Sequence, residues 1–149
     1  MVSGYVAGAI GGIVGGLAIA ALGMAYGAVS GRGVWTLPNR ISGIILGPRG
    51  AADRLFGLAT LVGVALHILL SAVFGVVIVL IAQDFTHAYL ASGLVVGVAL
   101  WLINYVGIGA IHPGAREVAK LNPVPIALGL HLLFGLIAGT VAVLVIQRP

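Results

Sequence analysis

Cysteine is absent from the 149 residues. That excludes disulfides, thiolate zinc sites, iron–sulfur clusters and thioether-linked haem. Charge is scarce too: Asp and Glu together number 3 and Lys and Arg 7, or 7% of the chain, where a soluble domain carries about 25%. The acids, Asp53, Asp84 and Glu117, all fall between the apolar runs. No Ser-His-Asp set or paired carboxylate can be assembled from them, and no phosphate loop or zinc motif is present, so the sequence points away from an enzyme. What the chain has is apolar residues, 61% of the total, and 24 glycines, with a mean hydropathy of +1.24. A chain this short has too little interior to hide so much apolar surface from water, and too much of it to stay disordered. The expectation is an all-α integral membrane protein with one transmembrane domain over 1–149.

Four uncharged runs separate the charges, each longer than the roughly 20 apolar residues that cross a bilayer as a helix. The backbone must satisfy itself in lipid, so four runs imply four helices, placed near 4–29, 57–82, 88–110 and 123–146. The first is not read as a cleavable signal peptide, since it lacks a basic leader and is too long. Arg32, Arg40, Arg49 and Arg54 follow the first span, and Arg116 and Lys120 follow the third. The positive-inside rule puts both basic loops in the cytoplasm and both termini, with Arg148, outside a plasma (inner) membrane. The net charge of +4 expresses this bias and does not indicate nucleic-acid binding, which needs a concentrated basic surface. The first loop, with Trp35, Pro38, Asn39 and Ile41–Leu46, is long enough to expect an interfacial helix lying on the membrane surface.

Spans 2 and 4 align at an offset of 64, which places His67 on His131, Gly75 on Gly139 and Gln83 on Gln147. Spans 1 and 3 align at an offset of 81, Gly12–Ile19 on Gly93–Leu100. The expected architecture is a four-helix bundle of two tandem helical hairpins related by a pseudo-two-fold along the membrane normal. Gly4, Gly8, Gly12 and Gly16 recur every four residues on span 1, and such spacing lets helices approach closely in lipid. These glycines pack inside the bundle, against Gly93 and Gly97, or form a face for a protein partner. The second row at Gly11 and Gly15 is surplus close-packing surface, which keeps a partner or self-association open beside packing within the bundle.

No Asp, Glu, Lys or Arg lies within a span, which argues against ion-coupled transport. Chemistry is left to two intramembrane histidines, His67 and His131, at similar depth. A neutral imidazole in hydrocarbon needs partners, and Ser71 and Asn104 are candidates in a polar bundle interior. Alternatively the two rings could ligate haem b iron axially, with Gly63, Gly75, Gly129 and Gly135 making room for the macrocycle. No other metal site is indicated. His87 and His112 sit at span ends, and Trp101 and Tyr105 read as packing or interface anchors.

The segments His67-Ile-Leu-Leu-Ser-Ala-Val-Phe-Gly75 and His131-Leu-Leu-Phe-Gly135, with Gly97-Val-Ala-Leu-Trp-Leu102 and the prolines Pro113 and Pro123 between them, resemble small inner-membrane proteins of the YagU-like type. The resemblance spans about residues 55–140 and implies a four-helix architecture and an association with acid resistance. Asn104 stands where that family often carries a polar residue, commonly His. Three functions follow from the sequence. The first in order is a non-catalytic accessory subunit of a larger membrane complex, held through its glycine face. The second is a haem b electron carrier using His67 and His131. The third is a small substrate-binding or transport protein with a polar pocket around His67, His131 and Asn104.

Overall fold

A computed structural model describes residues 2–51 and 54–147, with the backbone alone for 48–51. Asp53 and Arg148 lie outside the described residues, as does the side chain of Arg49. The chain is all-α: no strand occurs among the described residues. Four helices cross the membrane by length and composition: α1 (Gly4–Val29), α3 (Leu58–Thr86), α4 (Tyr89–Ile111) and α6 (Val124–Ile146), with mean hydropathies of 2.0, 2.9, 2.1 and 2.3. Two shorter helices, α2 (Thr36–Ala51) and α5 (Pro113–Ala119), fill the connections after α1 and α4. Leu61, Leu69, Val95, Leu102 and Leu144 stand more than one-third exposed along the spans. Such a belt would be an aggregation surface in water, and hydrocarbon solvates it.

Glycine sets the packing. A Cβ at Gly12 would collide with the Ser71 carbonyl, and one at Gly75 with the backbone of Gly8 and Gly12, so α1 and α3 meet backbone to backbone. The second row of α1 glycines is used as well: a Cβ at Gly11 would strike the Ala138 carbonyl, and one at Gly15 would sit 3.0 Å from the Phe134 carbonyl, both on α6. Gly93 and Gly97 do not face the α1 glycines; they pack on Gly135 and His131 of α6. Both α1 rows are therefore consumed inside the bundle, and the surplus face expected for a partner is the α1–α6 seam.

The two hairpins share a contact register. Gly12 on Ser71 corresponds, at the two sequence offsets, to Gly93 on Gly135; Gly16 beside His67 corresponds to Gly97 on His131; Gly8 on Gly75 corresponds to Tyr89 on Gly139. A complete two-fold does not follow. α1 packs tightly on α6, whereas α3 and α4, the pair such an axis would make equivalent, meet far more sparsely. Between α3 and α4 it is side chains that meet: Ile78 joins Val96, Leu100, Phe134 and Ala138 in the buried core.

The helix expected in the first loop exists, with a break at Gly47, where φ is 74°, and one face of it packs on protein while Ile45 and Leu46 stay exposed. Pro38, Asn39, Ser42 and Gly43 are buried, and α2 is wedged between α3 and α5. A Cβ at Gly63 would collide with the Pro38 carbonyl, and one at Gly114 with the Gly43 carbonyl. A buried polar network holds the wedge. Thr60 Oγ1 donates to Asn39 Oδ1 at 2.6 Å and accepts from the Gly57 N–H at 3.1 Å, while Asn39 Nδ2 donates to the Leu55 carbonyl at 3.0 Å. Thr60→Val removes two of these bonds from a side chain that is 1% exposed. The expected loss is about 1–3 kcal/mol of stability, read as a lower midpoint in thermal unfolding; an unchanged midpoint would show the network to be dispensable.

The two basic loops meet at one end of the bundle. Arg40 of α2 pairs with Glu117 of α5, Lys120 Nζ lies 2.8 Å from the same carboxylate, and Arg32 donates to the Leu121 carbonyl. The Lys120 hydrogen bond first, and the Arg40 cation with it, hold the Glu117 carboxyl below its ordinary range. This link between α2 and α5 is present at neutral pH and is lost as the pH falls through that lowered pKa.

Candidate functional site

His67 and His131 face the same space. A cavity of about 180 Å³ lies within the bundle toward the basic end, and both imidazoles line it, with Ser71 on α3 and Asn104 and Tyr105 on α4. Phe74, Leu100 and Phe134 line it too, and Leu100 and Phe134 belong to the buried core. Leu37, Ile41 and Ile44 of α2 and Ala115, Val118 and Ala119 of α5 bring the two connecting helices into its wall. The cavity is thus roofed by α2 and α5, the elements that Gly63 and Gly114 allow to dock.

The hydrogen bonds fix which ring nitrogen carries a proton. His67 Nε2 lies 3.0 Å from the Gly16 carbonyl oxygen. A carbonyl only accepts, so Nε2–H donates and the neutral ring keeps its lone pair on Nδ1. His131 Nδ1 lies 2.7 Å from the Ala127 carbonyl and donates to it, which leaves Nε2 to accept from Asn104 Nδ2 at 3.2 Å. The two histidines therefore have different partners: a backbone carbonyl of α1 serves His67, and a side-chain amide of α4 serves His131. Ser71 is not the partner of His67, and its Oγ makes no hydrogen bond among the described residues, although Ser71 is 5% exposed and lines the cavity.

Asn104 reaches His131 from a distorted stretch of helix. Residues Ile103–Ile108 of α4 form a π-helical turn, an insertion that occurs often at functional sites. Trp101 stacks on Tyr105 at 6.0 Å, and its Nε1–H is buried without a partner among the described residues. His87 ends α3 with φ 52°, and His112 caps α5, its Nδ1 accepting from the Ala115 N–H at 3.3 Å. Neither lines the cavity.

The residues present do not fit haem b. Both Nε2 atoms and His131 Nδ1 are committed to hydrogen bonds. The glycines expected to make room are used elsewhere: Gly63 docks α2, Gly75 packs on α1, Gly135 packs on Gly93, and Gly129 faces open space. No cluster of three or more His, Cys, Asp or Glu able to hold a metal converges among the described residues.

Three parts of the site escape sequence reading. A backbone carbonyl such as that of Gly16 has no letter in a sequence. The roof depends on which face of α2 turns inward, and its small polar stripe, Asn39, Ser42 and Gly43, was the available signal. Phe74 and Phe134 line the cavity but look like ordinary span residues, and Asn122, which lines it too, comes from the connection before α6. Comparison of the chain with known protein families, with curated proteins and with solved structures finds no match.

Proposed function

We propose that this membrane protein binds a small, membrane-dissolved molecule in the cavity between its helices. The observation that carries the reading is the convergence of His67, Ser71, Asn104 and His131, with Tyr105 and Asn122, on one largely apolar space, in a chain whose spans hold no charged residue before Asp84 in the last turn of α3. Ligand sites are typically apolar hollows with a few placed polar groups, and polar side chains at this depth are costly enough to need a reason. The Oγ of Ser71 and the Nδ1 of His67 make no hydrogen bond among the described residues, which supports a visiting partner over helix glue alone. The accessory-subunit reading lacks the surface that argued for it, because both α1 glycine rows are covered by α3 and α6.

The test uses benzyl alcohol and toluene as probes on the protein in phosphatidylcholine nanodiscs. Saturable stabilisation by either is expected, with a rise in Tm that Ala20→Phe abolishes by filling the cavity wall. Val14→Phe, on an exposed face of α1, should keep the response. A response that grows without saturation, or that is equal in Ala20→Phe, would mean that the probes act through the bilayer.

A further inference from the structure

The polar groups of the cavity specify more than an apolar occupant. His67 presents an acceptor, since its proton is spent on Gly16. Ser71, one turn later on the same face of α3, presents a hydroxyl with no partner among the described residues. Unpaired polar groups in hydrocarbon are costly. Both residues line the cavity, and a ligand atom that both donates and accepts matches the imidazole acceptor and the hydroxyl alike. A hydroxyl oxygen does this; an ester or ketone oxygen cannot donate, and an alkane can do neither. No Asp, Glu, Lys or Arg lines the cavity among the described residues, so a charged head would enter without a fixed counter-ion.

Size and surroundings define the rest of the molecule. An apolar protein cavity of about 150 Å³ holds one benzene ring, so about 180 Å³ takes a head with one ring or a short alkyl stub. A second hollow of about 470 Å³ runs along the outer face of α1, α2 and α3, and it shares Ala20, Leu37, Ile41 and His67 with the cavity. Its remaining wall, including Leu17, Met24, Val64 and Ile68, is apolar. His67 therefore lines both the cavity that holds the polar groups and the adjoining apolar hollow.

We infer that the ligand is an uncharged single-chain alcohol or phenol, its hydroxyl held between His67 and Ser71 and its chain lying in the α1–α2–α3 groove. This rests on the reading of the cavity as a ligand site. A chain-labelled diazirine analogue of hexadecanol, photolysed with the protein in phosphatidylcholine nanodiscs, tests it. Labelling is expected on groove residues of α1 and α3, displaced by unlabelled hexadecanol or by nonylphenol; which of the two displaces more strongly separates an aliphatic from an aromatic head. Methyl hexadecanoate, hexadecane and hexadecanoate should displace it about tenfold less well or worse, and His67→Phe and Ser71→Ala should each weaken labelling several-fold. Equal displacement by the ester or the alkane overturns the hydroxyl specificity while leaving the cavity reading intact, because toluene and benzyl alcohol would still stabilise saturably. Labelling unchanged in both His67→Phe and Ser71→Ala overturns the placement of the head. No displaceable labelling together with no saturable stabilisation removes both.

Discussion

The Gly12→Val substitution is expected to leave little folded protein in detergent or nanodiscs, with a loss of at least about 3 kcal/mol, the upper end for overpacking. A Cβ at this position would overlap the Ser71 carbonyl and press on the Gly75 backbone. Backbone atoms have no rotamers to retreat into, so α1 and α3 must separate. Separation forfeits packing, and packing is what holds apolar helices together in lipid. It also withdraws the Gly16 carbonyl from His67, one turn further along α1. Gly129→Val is the matched control: it adds the same side chain to α6 where nothing lies within 4 Å, and a change within about 1 kcal/mol is expected. Unfolding by sodium dodecyl sulfate, followed by circular dichroism, compares the two. If both variants unfold together, close backbone contact is not what holds the bundle.

Gly63→Val should open the roof without dissolving the bundle. Its Cβ would meet the Pro38 carbonyl on α2, and α2 stands outside the seams that α1 makes with α3 and α6. A cysteine-free chain makes the readout clean: Ala127→Cys places the sole thiol at a position 2% exposed on the cavity wall. A membrane-impermeant maleimide reports how often that wall is open. Adding Gly63→Val is expected to raise the labelling rate at least about tenfold, the equivalent of about 1.4 kcal/mol in the opening equilibrium. A lower Tm with unchanged labelling would show that α2 stabilises the protein without covering the cavity.

The spans were legible because the bilayer leaves so few options. Uncharged runs ending at Arg32, Arg54, Asp84, Arg116 and Lys120 can only be helices, and the observed bounds of α1 and α6 lie within a residue of those read from sequence. α3 runs on to Thr86 through a final π-helical turn, a distortion that composition does not encode. Helix rotation was not legible. With leucine, valine and isoleucine on every side, the spans show little contrast between faces, so a pocket around His67, His131 and Asn104 could be offered from sequence but the rotation that turns both rings into it could not be read. The glycine rows were visible but their partners were not: the same spacing serves α3 on one side and α6 on the other.

The seam between α1 and α6 also governs the order in which the molecule can be made. A chain emerging from the ribosome delivers α1 well before α6, and the backbone that covers Gly11 and Gly15 comes from α6. Until then α1 has α3 on one flank and lipid on the other, and contacts so distant in sequence form late. Any nascent form halted after α4 carries an open glycine strip that any close-packing neighbour could occupy. α6 is therefore the element that closes this seam during biosynthesis, and a truncation before Val124 should be cleared by membrane quality control although α1, α3 and α4 remain.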